Sequence, residues 1–109
     1  MSLTANDRKA LDMFKERIAS ELNGSVTELV LFGSKAKNTD TRDSDLDVLV
    51  VVNERSIELE ERIIDIAFEV NMRYDLYLSP RVIDAEKMKD RFFRATPFCR
   101  NLEQEGIPL

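Results

Sequence analysis

Two aspartates and a glycine–serine pair are the residues whose types and spacing could perform chemistry in this chain. Gly33 and Ser34 follow an apolar run, and Asp45 and Asp47 come ten residues later, separated by one leucine. Side chains alternate along a strand, so the two aspartates would point to the same face, roughly 6.5–7 Å apart along the backbone. Gly33 would let the backbone approach an anion, and Ser34 could donate hydrogen bonds to it. The pattern therefore predicts a site for a metal-bound triphosphate.

A calcium loop is the first alternative explanation of these aspartates. Asp43, Asp45 and Asp47 alternate with other residues, and Glu54 follows at the spacing of an EF-hand. The sixth position of that loop requires glycine, whereas this chain has Val48 there, followed by aliphatic residues typical of a buried strand. We therefore reject an EF-hand. The second alternative is that the aspartates only end a strand and keep its edge soluble, which explains one aspartate better than two on the same face.

The composition restricts the possible reactions. The chain has 109 residues, a formal net charge of −5, one cysteine and no histidine. Without histidine, a His-dependent triad and His-ligated zinc are excluded. Catalysis would then rest on carboxylates, hydroxyls, Lys, Tyr, Cys or a bound ion, for which an oxygen-ligated cation such as Mg²⁺ is the natural choice. The acidic charge and the lack of a basic block argue against stand-alone nucleic-acid binding. The length predicts a single domain over residues 1–109. A cytoplasmic location is predicted from the lone Cys99 and from the lack of a signal peptide or of an apolar run long enough to span a membrane.

Hydrophobic periodicity predicts the elements that must position the aspartates. Apolar residues recur at helical spacing over 4–22 and 57–73, whereas 26–32 and 45–52 have the pattern of strands, with a solvated loop over 38–44. Further predicted elements are a helical turn over 35–37, a strand over 74–78 ended by Ser79–Pro80, a helix over 84–94, and a last helix from Thr96–Pro97 to Gly106. These elements predict an α+β fold with a small mixed sheet of three or four strands and helices packed mainly on one face.

The Gly33-Ser34-x10-Asp45-x-Asp47 pattern resembles the signature of the DNA polymerase beta-like nucleotidyltransferase superfamily. The chain is similar to the minimal nucleotidyltransferase branch over almost its full length, including the leading helix, a later aspartate and the ending from Pro97 to Ile107. One departure follows the Gly-Ser pair, where the family often has Arg-Ala-Arg-Gly and this chain has Lys-Ala-Lys-Asn over 35–38. Charge is kept, but lysine lacks the bidentate fork with which arginine binds phosphate.

The resemblance implies a role for each candidate residue. Asp45 and Asp47 would hold Mg²⁺ on the triphosphate of ATP or another nucleotide and, with Asp75, a second ion near the acceptor hydroxyl. Asp75 would orient or deprotonate that hydroxyl. Gly33 and Ser34 would hold the β- and γ-phosphates. Three cations could assist them, or could equally be ordinary surface charges: Lys35, Lys37 and Arg42.

The resemblance also implies a partner. Minimal nucleotidyltransferases typically pair with a HEPN-domain ribonuclease in a two-gene toxin–antitoxin module, in which the nucleotidyltransferase is the antitoxin and some members transfer AMP to a tyrosine of the toxin. This leads to the expectation of an active transferase acting on a HEPN-domain toxin. Two alternatives remain at this point: a binding module that neutralises its partner by occlusion, and a transferase that modifies a small molecule or an RNA end.

Overall fold

The computed structural model describes residues 3–37 and 45–109, except for the side chains of Ser34 and Lys37. Helices and strands alternate along the chain in an α+β arrangement, as the sequence predicts. The elements are α1 (Ala5–Glu21), β1 (Val26–Phe32), α2 (Ser34–Lys37), β2 (Leu46–Val52), α3 (Ile57–Tyr74), β3 (Leu78–Asp84), α4 (Ala85–Lys89), α5 (Arg91–Arg94), α6 (Pro97–Glu105) and β4 (Ile107–Pro108).

The strands form a mixed four-stranded sheet in the order β3-β2-β1-β4. Strand β1 is antiparallel to both β2 and β4, while β2 and β3 are parallel. Strand β2 lies inside the sheet, and every residue from Val48 to Val52 is buried. This explains its uninterrupted aliphatic sequence, because a strand covered on both faces does not alternate apolar with polar residues.

The two faces of β2 contact different helices. Val48 and Val50 belong to the main hydrophobic core, together with the buried stripes of α1 and α3. Leu49 and Val51 belong to a second cluster, to which Phe93 of α5 and Phe98 and Leu102 of α6 contribute. The two long helices therefore pack on one face, as predicted, and the short C-terminal helices cover part of the other. Asp47 shares the second face, because residues two apart on a strand point the same way.

Side-chain caps fix the ends of the helices that frame the sheet. Thr4 caps α1 in a reciprocal capping box with Asp7, and Thr96 caps α6 with Pro97 at its start. Gly106 ends α6, and its backbone N–H donates to the Leu102 carbonyl. The sequence predictions for these ends are confirmed.

The prediction for the third strand is wrong. Strand β3 runs from Leu78 to Asp84 and passes through Pro80. A proline is tolerated there because β3 is an edge strand, whose outward N–H groups have no strand partner. Tyr74 instead belongs to α3, and Asp75 ends that helix in the left-handed conformation, with φ 50°. The strand therefore begins four residues later than predicted.

The predicted helix over 84–94 is also divided in two. Asp90 ends α4 and begins α5, and its carboxylate accepts a hydrogen bond from the backbone N–H of Phe93. Asp84 caps α4 in the same way, through the N–H of Lys87. Each aspartate competes for backbone donors and starts a new helix, which the apolar pattern alone does not reveal.

Candidate active site

The two aspartates lie at the start of β2, where the chain enters the sheet. Asp45 precedes the strand and is exposed, whereas Asp47 is its second residue and is half-buried. Burial, and secondarily the negative charge of Asp45, raise the pKa of the Asp47 carboxyl above its ordinary value. The protein therefore holds a partly desolvated carboxylate beside a second one, an arrangement that a bound cation would stabilise.

Gly33 lies directly against Asp47. Phe32, the last residue of β1, pairs with Asp47 across the sheet, and the chain then turns at Gly33 with φ +79°. A Cβ atom at position 33 would collide with the Oδ2 atom of Asp47 and would lie 3.2 Å from its Cγ. Both the positive φ and the close approach require glycine. The turn at Gly33 and Asp47 are thus packed together.

Lys35 anchors α2 to the start of α1. Its ammonium donates to Oδ2 of Asp7 at 3.2 Å, and the two side chains are 3% and 11% exposed. Asp7 is also part of the α1 cap: its Oδ2 accepts from the Thr4 backbone N–H at 3.1 Å, and its own N–H donates to Thr4 Oγ1 at 3.0 Å. The sequence predicts for Lys35 either a phosphate contact or an ordinary surface charge, whereas the structure places its ammonium in an interior ion pair with Asp7, a pairing that the sequence does not indicate.

Asp75 does not lie on the sheet, contrary to the sequence prediction. It caps α3, and its backbone N–H donates to the Asn71 carbonyl. Ser79 occupies the position beside Asp47 in the neighbouring strand. Within residues 3–37 and 45–109, no three His, Cys, Asp or Glu side chains are grouped so that they could hold a metal ion. Asp75 is therefore not brought together with Asp45 and Asp47.

Three predicted phosphate-binding side chains fall outside what the structure describes. Ser34 begins α2 and Lys37 ends it, but their side chains are not described. Arg42 lies in the segment 38–44, which is outside the described residues. The roles predicted for these three residues stay predictions.

An aromatic and cationic wall beside Asp47 was not apparent from the sequence. The Phe98 ring of α6 packs edge-on against Phe32, with 5.3 Å between ring centroids. The Arg81 guanidinium lies over the same Phe98 ring, 4.1 Å from its centroid. Arg81 is two residues after Ser79 on β3 and so shares the face of Asp47. The misplaced strand concealed Arg81, since its face follows only from the correct register.

The aspartate pair fits a hard divalent cation such as Mg²⁺. Carboxylate oxygens are the ligands that this ion prefers, and it usually keeps water or substrate phosphates as its remaining ligands. Asp45 and Asp47 supply two carboxylates, and the pKa of Asp47 is raised first by burial and second by repulsion from Asp45, both of which a bound cation would oppose. The described residues provide no third carboxylate in the group, so further ligands would come from the nucleotide and water.

The fold and this pair define the chain as a nucleotidyltransferase. The family model for the nucleotidyltransferase domain matches residues 11–108, and the chain belongs to that family. A relative in Methanocaldococcus jannaschii, the candidate protein adenylyltransferase MJ0141, is 34% identical over 97 residues, which are 88% of this chain and 91% of that protein. The family predicted from the Gly-Ser and Asp-x-Asp pattern is confirmed.

Solved structures share the fold at low sequence identity. A candidate minimal nucleotidyltransferase is 17% identical with a TM-score of 0.57, and the match covers 100% of both chains. A chain of a toxin–antitoxin crystal structure with AMP-PNP is 16% identical with a TM-score of 0.53, covering 87% of this chain and 68% of that one. These likenesses establish the nucleotidyltransferase fold. In the described part of the chain, no helix has both the length and the apolar character needed to span a membrane.

Proposed function

We propose that this chain, acting as a single catalytic domain, transfers AMP from ATP to a hydroxyl group of a partner protein, a tyrosine of a HEPN-domain toxin, and acts as its antitoxin. The observation that carries the proposal is the packing of Asp47, beside Asp45, against Gly33. The relative MJ0141, a candidate protein adenylyltransferase, supports the acceptor class. The toxin–antitoxin neighbour with AMP-PNP supports the nucleotide and the partner class.

The reaction is an in-line displacement at the α-phosphorus. The acceptor hydroxyl oxygen forms a bond to this phosphorus, the bond from the phosphorus to the oxygen that bridges to the β-phosphate breaks, pyrophosphate leaves, and the hydroxyl proton passes to water. Mg²⁺, when bound, stabilises the charge on the attacking and leaving oxygens. Asp45 and Asp47, at the start of β2, would hold the metal ion that is bound to the nucleotide.

Other residues of the turn position the triphosphate. Gly33 allows the backbone to approach it, and Ser34 and Lys37 of α2, with Arg42, are proposed to contact its phosphates. Lys35 acts differently: it fixes α2 to α1 through Asp7 and keeps the turn beside Asp47. We propose no part for the Asp75 carboxylate in holding the metal, because among the described residues it is not grouped with Asp45 and Asp47.

Labelling with α-³²P nucleotides tests the proposal. The purified chain is incubated with Mg²⁺, the protein encoded by the neighbouring gene, and labelled ATP, GTP, CTP or UTP in parallel. We expect label from ATP on the partner, lost in the Asp45→Asn/Asp47→Asn double variant. Asp12→Asn, which changes an exposed aspartate of α1, is the matched control and should label normally.

Two other results would replace the proposal. A folded sample that binds its partner and neutralises it without any label, and whose double variant neutralises it equally well, acts by occlusion. Label that appears on RNA or on a small molecule instead of the protein identifies a different acceptor.

A further inference from the structure

Helix α3 exposes a stripe of large apolar side chains to solvent. Ile57, Ile64, Phe68 and Met72 are 76%, 55%, 63% and 70% exposed. Their spacings of seven, four and four residues place them on one side of the helix. The helix buries a separate stripe in the core, which includes Ile63, Ile66 and Val70. The exposed set, here called the α3 stripe, is therefore not required for packing this chain.

The stripe is large enough to be an interaction surface. It extends from the first residue of an 18-residue helix almost to its end, a span of roughly 22 Å at 1.5 Å per residue. Isolated exposed apolar residues are ordinary, but four along one side of a single helix are typical of an interaction site, even with two turns between Ile57 and Ile64. A surface of this shape suits a second helix of similar length, which would present its own apolar face.

One edge of the stripe is acidic. Glu58, Glu61 and Asp65 follow each other at spacings of three and four residues on this edge. Other acids of α3 are neutralised within the fold: Glu60 by Arg55 and Glu69 by Arg17. None of the ion pairs seen among the described residues includes the three acids of the edge. They line an open groove of about 550 Å³, which Glu21 and its ion-pair partner Arg62 also border, so acids outnumber bases there.

We propose that the α3 stripe binds an amphipathic helix of a different protein, whose apolar face is bordered on one side by Lys and Arg. The apolar side chains would pack on Phe68 and its neighbours, and the basic side chains would reach the acidic groove. The inference concerns a surface on the helix layer behind the sheet, whereas Asp47 faces the other side. It goes beyond the proposed transfer reaction and does not depend on it.

Charge disfavours two other occupants of this surface, an antiparallel second copy and an anionic membrane. In a symmetric antiparallel pairing of two copies, both acidic edges would lie on the same side of the helix pair and repel each other. The chain as a whole carries a formal charge of −5, which adds to this repulsion. An anionic membrane surface would be repelled for the same reason. A basic partner satisfies both the apolar stripe and its edge.

Two synthetic helical peptides of 18 residues test the inference. Both carry the same leucine and isoleucine stripe; one has lysines along one border, and the other has glutamates there. Binding to the full chain is measured by fluorescence anisotropy at low and physiological salt. We expect the lysine peptide to bind at least tenfold more tightly than the glutamate peptide, with the difference decreasing as salt is added.

Surface variants locate the binding. Phe68→Ser should weaken binding of the lysine peptide to the chain at least tenfold. The double variant Glu61→Lys/Asp65→Lys should weaken this binding by at least the same factor. Phe92→Ser is the matched control, because Phe92 is 76% exposed on α5, away from the stripe; it should leave binding unchanged. Circular dichroism verifies that each variant is folded.

Four outcomes would overturn the inference: no binding of the lysine peptide, equal binding of both peptides, binding that Phe68→Ser does not weaken, or a wild-type dimer in sedimentation that Phe68→Ser converts to monomer. The last outcome would assign the stripe to a second copy of this chain. None of these results depends on nucleotide transfer, so the labelling experiment can succeed or fail independently.

Discussion

Removing one charge of the Asp7–Lys35 ion pair should destabilise the protein much more than removing both charges together. Lys35→Met keeps the length of the side chain and removes its charge, and Asp7→Asn keeps an oxygen that can accept the Thr4 N–H. Lys35 is the more deeply buried partner, with 3% of its side chain exposed. Each single variant removes one charge of this interior pair and keeps the other, whereas the double variant removes both.

The expected magnitudes follow from this burial. Leaving one member of a buried pair alone costs about 3–5 kcal/mol, while replacing the whole pair by neutral groups of similar size is often nearly neutral. Asp7→Asn should therefore cost about 3–5 kcal/mol. Lys35→Met should cost somewhat less, about 2–3 kcal/mol, because Asp7 keeps its hydrogen bonds to the α1 cap. The double variant should lose only about 1–2 kcal/mol.

Urea unfolding of the four proteins gives the coupling free energy as a double-mutant cycle. Lys9→Met and Asp12→Asn change exposed residues of α1 with the same chemistry and should each stay within about 0.5 kcal/mol of the wild type. Additive losses in the double variant would refute the reasoning, since they would mean that Asp7 and Lys35 contribute independently. A functional readout accompanies the cycle: the KM for Mg-ATP should rise in both single variants and recover in part in the double variant.

Three further predictions concern the site itself. Asp47→Asn should abolish labelling yet raise the thermal midpoint at neutral pH, because it removes a carboxylate whose pKa is raised by burial and by Asp45. Since the folded protein favours the protonated carboxyl, the difference in thermal midpoint between variant and wild type should shrink as pH falls through the raised pKa. Mg²⁺ should also reduce this difference, because it would stabilise only the wild type. A variant no more stable than wild type at pH 7 would contradict this. Gly33→Ala should lower labelling activity by more than tenfold and destabilise the fold by about 1–3 kcal/mol. The reason is that it adds a methyl group against Asp47 at a position with φ +79°. Gly24→Ala is the control for backbone strain alone, because Gly24 has φ +84° and open space around it. Asp75→Asn should keep labelling within threefold of wild type, because asparagine also tolerates the left-handed cap; a loss as large as that of Asp45→Asn would restore the predicted catalytic role.

Much of the architecture followed from patterns that are local in sequence. Helix α1, strand β1 and helix α6 begin and end within a residue of their predicted limits, because their caps and apolar periods agree. The long aliphatic run of β2 identified a strand buried on both faces. The Gly-Ser turn and the aspartate pair were recognisable because their spacing is fixed by a strand, a turn and a second strand.

The errors came from interactions that are distant in sequence. Ser79–Pro80 is a common strand ending, and only the position of β3 at the sheet edge makes the proline acceptable. Asn71 then fixes the start of that strand, since its side-chain amide both donates to and accepts from the backbone of Leu78. Nothing within the segment 74–78 indicates this contact, so Asp75 was placed on a strand it does not join.

Lysine 35 illustrates the same limit for the site. Two lysines flank Ala36, and their composition gives no reason to treat them differently. The partner that distinguishes Lys35 is Asp7, 28 residues earlier in the chain. The capping box with Thr4 explains Asp7 locally and gives no sign of a second partner. The pairing of the two could be found only after the fold had brought α1 and α2 together.

The site departs from ordinary stability rules at adjacent positions. Gly33 adopts a left-handed backbone against a carboxylate, Asp47 keeps a pKa raised by burial, and Lys35 carries its charge inside the protein. Each feature costs stability when considered alone, and such costs tend to concentrate where a protein binds or reacts. A metal-bound nucleotide would offset the second of these, because its cation would neutralise the Asp47 carboxylate. The Asp7–Lys35 pair has a different purpose: it holds the turn in this costly arrangement before any ligand arrives.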